Sequence, residues 1–385
     1  MRQMNQKRFT LLTGLILPFL FLLMLATSAE AEEPFEPVHG TETTFSEILV
    51  MSWDAHVPNA SFAFTVTPGQ AIPEGKATLE VRAGIGVPTL TEVLFSESDT
   101  TYTKVQPGDG ISLPAGCKYA RKTVKMDFSG IEYTEPGVYR YVITEHGDGL
   151  GLVLDEDQAR TVDVYIQGQG DHLGVLSYVM YRGGQVAAPA PTMEAAGASK
   201  SRSFVNTYAT QNLSFGNEVK GIGGEKEKAF SFTLRITGAE AGTVYEVDLS
   251  PKDSAADPKP LTVGSNGTAV QRYYLRDGQY ITVKALARGT AYEVTEEKTE
   301  HYVTHEGTKK VAVPASGKKH TKNYFPAKYY SDSPSGTIGT EDVYTGYTNR
   351  WKAPERIIFM LTFSAAAIII IIIGVVVVRH VRRRY

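Results

Sequence analysis

Cysteine is nearly absent from this chain, because Cys117 is the only one among 385 residues. This excludes an intrachain disulfide, a cysteine-rich zinc site and a redox centre built from several thiols. Positive and negative charges are nearly balanced, since the formal net charge is -3. The sequence therefore lacks the basic footprint of a protein that binds nucleic acid.

Close clusters of histidine and carboxylate are also missing from the sequence. His39, His56, His305 and His320 stand apart from one another, so we expect surface histidines rather than metal ligands. No GxSxG nucleophile motif occurs, and the glycine-rich segment 147–151 lacks the Lys-Ser/Thr ending of a phosphate loop. We expect no metal, no cofactor and no enzymatic activity.

Long amphipathic helices are not predicted between the two ends of the chain. Short segments instead alternate apolar and polar residues with a period of two, and turn residues separate them. Examples are Phe62–Val66, Gly137–Glu145 and Phe230–Ile236. This pattern is typical of β-sandwiches, so the predicted fold class is all-β, with two tandem immunoglobulin-like sandwiches.

Both ends of the chain are strongly apolar. Residues 357–378 include 22 positions without a charge, and a basic segment, 379–385, follows them. A helix of this length spans about 33 Å, enough to cross a bilayer whose hydrocarbon core is about 30 Å thick. Residues 1–31 have a basic start, a shorter apolar run and an Ala-Glu-Ala ending, which is typical of a cleaved signal peptide.

These features predict a single-pass membrane protein with an extracellular ectodomain and a cytoplasmic C-terminus. An exported protein with so few cysteines is more typical of a bacterium than of an organism whose exported proteins mature in an oxidising secretory pathway. Between the ends we expect one sandwich at 42–208, a second at 212–325, and a Tyr/Ser/Gly/Pro-rich stalk at 326–356. The joint between the sandwiches is expected near residues 209–213.

The two halves share an order of motifs. Each has an opening strand, an FxF strand, a strand that ends in glutamate and a closing strand that carries asparagine. In the first half these are Thr44–Met51, Phe62–Phe64, Tyr139–Glu145 and Phe204–Tyr208; in the second they are Leu213–Val219, Phe230–Phe232, Tyr292–Glu296 and Thr321–Tyr324. On these motifs residues 42–208 resemble the streptococcal pilin isopeptide-linkage (FctA-type) domain, and 212–325 resemble the CnaB-like sandwiches of Gram-positive surface proteins.

The resemblance implies a spontaneous Lys–Asn isopeptide bond inside each sandwich, assisted by an acid. A buried amine loses its proton readily and can attack, and a buried carboxyl stays protonated and polarises the asparagine carbonyl. Glu145 and Glu296 are the candidate acids, and Asn206 and Asn323 are the candidate amide partners. Strand parity places Glu145 on one face with Tyr139, Tyr141 and Ile143.

The expected lysine nucleophile is missing from both halves. Its position in the first strand corresponds to Glu47 in the first half and to Asn217 in the second. Lys220 lies near Asn217, but strand parity points it to the opposite face. We therefore expect both cross-links to be absent, which leaves Glu47, Glu145 and Asn206 as a buried hydrogen-bonded cluster with a raised carboxyl pKa.

Three functions remain open on the sequence alone. The first is a membrane-anchored structural or adhesin-like surface protein, which would bind a host or cell-surface protein or glycan. The second is a pilus subunit that is polymerised or wall-anchored through a non-standard sorting signal, because residues 347–356 contain no LPxTG-like motif. The third, an extracellular carboxylate-based hydrolase, rests only on Glu47 and Glu145.

Overall fold

The computed structural model describes residues 35–76, 78–187, 200–251, 258–306 and 333–383. The expected signal peptide at 1–31, His320 and Asn323 lie outside these ranges. The described part of the chain is mostly β-strand, with one long helix at its C-terminal end. This confirms the all-β class predicted from the alternating sequence.

The first sandwich occupies the N-terminal half of the described chain. Its strands are β1 (Val38–His39), β2 (Glu42–Ser52), β3 (Ala60–Pro68), β4 (Val81–Ala83), β5 (Thr89–Leu90), β6 (Val93–Phe95), β7 (Thr101–Tyr102), β8 (Cys117–Asp127), β9 (Glu132–Tyr133), β10 (Gly137–Asp148), β11 (Leu152–Val153), β12 (Ala159–Gln169), β13 (His172–Arg182) and β14 (Ser203–Tyr208).

Two main sheets form this sandwich. One has the order β13-β12-β10-β3-β6, with β4 beside β10, and the other has the order β11-β14-β2-β8-β5, with β7 beside β8. Aromatic side chains from both sheets fill the space between them; Phe45, Phe62, Tyr141 and Phe204 are all at most 3% exposed. Burying each such side chain contributes ~2 kcal/mol, so this layer carries much of the stability.

The second sandwich follows after one residue. Its strands are β15 (Thr210–Lys220), β16 (Phe230–Thr237), β17 (Val244–Tyr245), β18 (Val247–Ser250), β19 (Leu261–Thr262), β20 (Thr268–Leu275), β21 (Tyr280–Ala287), β22 (Ala291–Glu296), β23 (Tyr302–Glu306), β24 (Ser335–Thr337) and β25 (Val343–Trp351). One sheet has the order β18-β21-β15-β25-β23, and the other has the order β20-β16-β22-β24.

In each sandwich the first long strand and the last strand are neighbours that run in the same direction. β2 pairs in parallel with β14, and β15 pairs in parallel with β25. Each last strand is therefore held against the first along its length, and any side chains that face inward from the two strands lie close together. This pairing is what positions the candidate site in each half.

Strand β25 differs from the expected stalk at 326–356. Val343, Thr345, Tyr347 and Asn349 alternate into the core of the second sandwich, and all four are buried. The period-two pattern is present in the sequence, but the Gly- and Ser-rich residues before it favour a linker. The described part of this segment is thus mainly sandwich, and residues 352–354 alone separate β25 from the helix.

The two sandwiches contact each other at a polar junction. The backbone N–H of Asn59 donates to Glu240 Oε2 at 3.0 Å, and the N–H of Arg288 donates to the carbonyl of Ala209 at 2.9 Å. His56 lies between the rings of Tyr208 and Tyr245. Its side chain is only 13% exposed, so the prediction of a surface histidine is wrong for His56.

The C-terminal helix, α1, covers Glu355–Arg382. Its stretch Phe363–Arg382 is long and apolar enough to cross a membrane, and none of it is buried inside the protein. Basic residues occupy its last turn. The predicted apolar helix is thus present.

Candidate functional site

The first cluster consists of Glu47, Glu145 and Asn206, and the structure brings all three together as the sequence predicted. The Asn206 side-chain amide donates to Glu145 Oε1 at 2.7 Å and also to Glu47 Oε1. All three side chains are at most 1% exposed. Asn206 Oδ1 accepts a hydrogen bond of 2.7 Å from the backbone N–H of Asp155.

Three strands from both sheets carry this cluster. Glu47 lies on β2, Asn206 on β14 and Glu145 on β10, which belongs to the opposite sheet. In the parallel pair, Glu47 lies beside Phe204 and Asn206 beside Leu49. Successive side chains of a strand alternate between its faces, so Glu47, Phe204 and Asn206 all face the core.

Burial makes both carboxyls of the first cluster harder to ionise. It raises the pKa of Glu47 well above its ordinary value, and the nearby charge of Glu145 raises it further. Burial also raises the pKa of Glu145, although its hydrogen bonds with Asn206 and Glu47 oppose that shift. The Oε2 atoms of both residues have no other hydrogen-bond partner. One proton shared between the two carboxyls would satisfy both atoms.

A buried ion pair supports the first cluster, and sequence reasoning missed it. Arg160 is 0% exposed and donates to Asp155 Oδ2 at 2.6 Å, and Asp155 Oδ2 also accepts from the backbone N–H of Val205. The Arg160 guanidinium lies 4.4 Å from the centre of the Phe204 ring. These contacts hold β14, and with it Asn206, against the loop that precedes β12.

The second cluster consists of Asn217, Glu296 and Asn349. The Asn349 side-chain amide donates to Asn217 Oδ1 at 3.0 Å and also to Glu296 Oε1. Asn349 Oδ1 accepts from the Thr304 hydroxyl at 3.1 Å, and the Asn217 amide donates to the carbonyl of Leu275 at 3.1 Å. Burial raises the pKa of Glu296 to about 7.

The two clusters occupy equivalent positions in the two sandwiches. Asn217 pairs with Tyr347 as Glu47 pairs with Phe204, and Asn349 pairs with Val219 as Asn206 pairs with Leu49. The acids correspond in the same way: Glu145 pairs with Phe64 and Glu296 with Phe232, the last residues of the two FxF motifs. The shared register confirms that each half places one acid, one asparagine and one first-strand residue together.

Asn349 occupies the place at which the sequence predicts Asn323. Asn323 lies outside the described residues, so the structure does not describe its surroundings. The available signal was the alternating stretch Val343–Trp351, whose asparagine falls on the buried face. Asn217 and Glu296 are both in the predicted position.

The position of the nucleophile holds no lysine in either sandwich. Glu47 and Asn217 stand there, and no lysine is among the buried residues in the part of the chain that the structure describes. Lys220 pairs with Glu218 at 2.8 Å on the opposite face, as strand parity predicted. Neither first-strand residue can supply an amine to attack the neighbouring asparagine.

The geometry also bears on the hydrolase hypothesis. Glycosidase carboxylates stand about 5–9.5 Å apart across an open cleft that admits a sugar. Glu47 and Glu145 instead bind the same amide nitrogen and are 0% and 1% exposed. A substrate cannot reach them without unfolding of the sandwich.

Comparisons with known proteins agree with this architecture. A family model described as the Spy0128-like isopeptide containing domain matches residues 50–209, and a domain of unknown function (DUF7601) matches residues 211–325. A pilin from Streptococcus pyogenes serotype M1 is 25% identical over 274 residues, which are 70% of this chain and 72% of the relative.

Solved structures show the same fold at lower identity. The crystal structure of the major pilin from Streptococcus pyogenes has a TM-score of 0.55 and 23% identity, covering 82% of this chain and 100% of that one. A point mutant of that pilin gives a TM-score of 0.56 at 22% identity with the same coverage. The pairing of two sandwiches in tandem is therefore shared with these pilins.

Proposed function

We propose that this chain is a membrane-anchored, pilin-type structural protein of the cell surface, and the match of residues 50–209 to the family model of Spy0128-like isopeptide containing domains supports this proposal. In each of its sandwiches a hydrogen-bonded cluster takes the place of the internal Lys–Asn cross-link. The relatives are pilins, which are structural proteins and not enzymes.

The hydrogen bonds around Asn206 support the proposed loss of the first cross-link. Asn206 retains the acid beside it, through Glu145, and a polarised carbonyl, through the N–H of Asp155, but its third neighbour is the carboxyl of Glu47. A carboxyl accepts a hydrogen bond from the amide and cannot displace ammonia from it. The second cluster has Asn217 in the same position, with the same consequence.

The apolar helix α1 supports permanent anchoring. The stretch Phe363–Arg382 is exposed in the isolated chain, as expected for a helix that contacts lipid. The basic residues at its C-terminal end favour the cytoplasmic side, so both sandwiches would lie outside the cell.

The intact mass of the purified chain tests the absence of the cross-links. Each isopeptide bond releases one ammonia, so we expect a mass equal to that of the processed sequence. A deficit of one ammonia per sandwich would contradict the proposal, and peptide mapping around Asn206 and Asn349 would then find the lysine that has taken over.

The name of the curated relative favours a second candidate, a polymerised pilus subunit. A covalent polymer gives a ladder of high-mass species in cell-wall extracts, and the ladder disappears when the sortase is deleted. A permanently anchored monomer gives a single band that detergent extracts from the membrane. The two outcomes exclude each other.

A further inference from the structure

The end of the second sandwich that leads into α1 carries an exposed apolar loop. β15 ends at Lys220 beside Arg350 of β25, so the loop Gly221–Gly224 and the exit of β25 lie at the same end. Ile222, in this loop, is 108% exposed, the highest value among the large apolar side chains that the structure describes. The fold leaves this side chain unburied, so the neighbours of the turn and its distance from the membrane decide what it can contact.

The loop is shaped to present Ile222 outward. Gly221 has a φ of +104°, which favours glycine, and the N–H of Gly224 donates to the carbonyl of Gly221 at 3.1 Å. Gly223 lies flat against the Trp351 indole, because a Cβ there would come within 2.7 Å of the ring. Trp351 thus supports the turn from beneath, while Ile222 points away from it.

Aromatic and basic residues surround the same turn. Tyr302 pairs with Trp351 across β23 and β25, and its hydroxyl accepts from the N–H of Glu225 at 2.9 Å. Lys228 Nζ lies 5.2 Å from the centre of the Tyr302 ring. Tryptophan and tyrosine are enriched at the level of lipid headgroups, where one end of the side chain is apolar and the other is wet.

The chain itself brings this surface to the bilayer. The N–H of Lys352 donates to the carbonyl of His301 at 2.8 Å, so the chain remains attached to the sandwich up to Lys352. From there, three residue steps reach the start of α1 at Glu355, and fully extended they span at most ~11 Å. Two helical residues, ~3 Å, then lead to the apolar run at Ile357.

From this geometry we infer that the turn at Ile222, with Trp351 behind it, docks onto the outer surface of the membrane that α1 crosses. The partner is the interfacial layer of the lipid bilayer, and the contact is apolar rather than electrostatic. Charges of both signs surround the turn: Lys226 is paired with Asp277 at 3.0 Å, Glu227 and Glu300 are exposed nearby, and Arg350 and Lys352 lie at the same end. This inference rests on the proposed membrane anchoring.

A spin label tests the contact in the full chain. In a Cys117→Ser background, Ile222→Cys carries the label, and Leu176→Cys, an exposed apolar position of the first sandwich, is the matched control. In lipid nanodiscs we expect the label at 222 to be more accessible to oxygen, and less accessible to a water-soluble nickel reagent, than the label at 176. The difference should already be present in zwitterionic lipid, because the proposed contact is apolar.

Quenching of Trp351 by lipid tests the contact in a chain that keeps Ile222. The chain has only two tryptophans, so one substitution isolates the signal of either one. Brominated lipids should quench Trp351 in a Trp53→Phe chain and leave Trp53 unquenched in a Trp351→Phe chain. If carbonate washes the chain off the membrane, the anchoring proposal fails. If the chain stays in the bilayer while the label at 222 is as accessible to water as the control and Trp351 is not quenched, the docking inference is wrong and the anchoring stands.

Discussion

Glu47 is the residue that decides the chemistry of the first cluster. Its side chain already reaches the Asn206 amide, and the remaining parts of the reaction, the Glu145 carboxyl and the polarised carbonyl, are in place. A lysine at position 47 would bring its amine to the side-chain amide of Asn206. In the dry core this amine would lose its proton readily, which is what attack requires.

We therefore predict that Glu47→Lys restores a cross-link. The amine displaces the Asn206 amide nitrogen as ammonia, so the intact mass of the folded variant should be lower by one ammonia than its sequence mass. Tryptic mapping should show residue 47 joined to residue 206.

Two variants make this prediction falsifiable. The double variant Glu47→Lys/Glu145→Ala lacks the assisting acid, so the bond should not form and the intact mass should equal the sequence mass. Glu47→Gln, which is isosteric and has no amine, reports whether position 47 tolerates substitution. A folded Glu47→Lys chain with an unchanged mass would contradict the role assigned to the cluster.

Glu296 makes the second sandwich sensitive to pH. Its pKa is raised from 4.5 to about 7, so the folded chain holds a proton that the unfolded chain releases between these values. The free energy of unfolding should therefore fall as the pH rises from 4.5 to 7 and then level off, by at most ~3 kcal/mol. Glu296→Gln keeps the acceptor for Asn349 and should remove this dependence.

Trp351 provides the measurement. In a Trp53→Phe background its fluorescence reports denaturant unfolding of the second sandwich, at several pH values across the window. Glu293→Gln, an exposed glutamate of the same strand, is the control and should leave the pH dependence unchanged. If the stability of Glu296→Gln varies with pH as the parent does, Glu296 is not the titrating group.

At the residue scale, parity was enough to predict three of the partners. Glu47, Glu145 and Asn206 lie on inward faces of strands that the sequence identified, so their burial followed from a period of two. Arg160 and Asp155 were not predictable in the same way, because an arginine is rarely fully buried and only the tertiary contact with the ring of Phe204 reveals its place.

At the scale of the element, β25 is what completes the second sandwich. It pairs with β15 over eight residues and with β23 on its other side. Leu213, Phe215 and Tyr347 pack in one core, so loss of β25 would leave one edge of β15 unpaired and remove Tyr347 from this core. The alternating residues of β25 were the only local signal, and the glycine, serine and proline before them favoured a linker; the parallel pairing with β15, more than a hundred residues away, cannot be read from the local sequence.

Truncation tests the contribution of β25. We predict that an ectodomain ending at residue 325 loses the cooperative unfolding of the second sandwich, whereas one ending at residue 353 keeps it. The first sandwich should unfold identically in both ectodomains and serves as the internal control. Thermal denaturation would detect the difference, followed through Trp53 for the first sandwich, with Trp351→Phe in the longer ectodomain, and through circular dichroism for the whole; equal stability of the two ectodomains would contradict the assignment.

At the scale of the whole molecule, parallel terminal strands determine how a pulling force is borne. Force enters β2 at one end and leaves β14 at the other, so all the hydrogen bonds between the two strands are loaded in shear together. The same holds for β15 and β25. Without a covalent bond these ladders carry the load, over six paired residues in the first sandwich and eight in the second.

We predict that the sandwiches extend under force in two separate steps, with the first sandwich yielding at the lower force. Single-molecule pulling of the ectodomain measures both steps. The Glu47→Lys variant should lose the first step while retaining the second. Resistance of the parent chain up to covalent rupture would contradict the absence of the cross-links.

Glu47 and Asn217 occupy equivalent positions, and the codon of each is one base change away from a lysine codon. Glutamate and lysine codons differ only at the first base, and asparagine and lysine codons differ only at the third. Each sandwich therefore stands a single point mutation away from the amine that it lacks, with the receiving asparagine and acid already in place. A lineage exposed to stronger shear could regain a covalent clasp in either half by one nucleotide change, and sequencing of isolates selected under flow would reveal it.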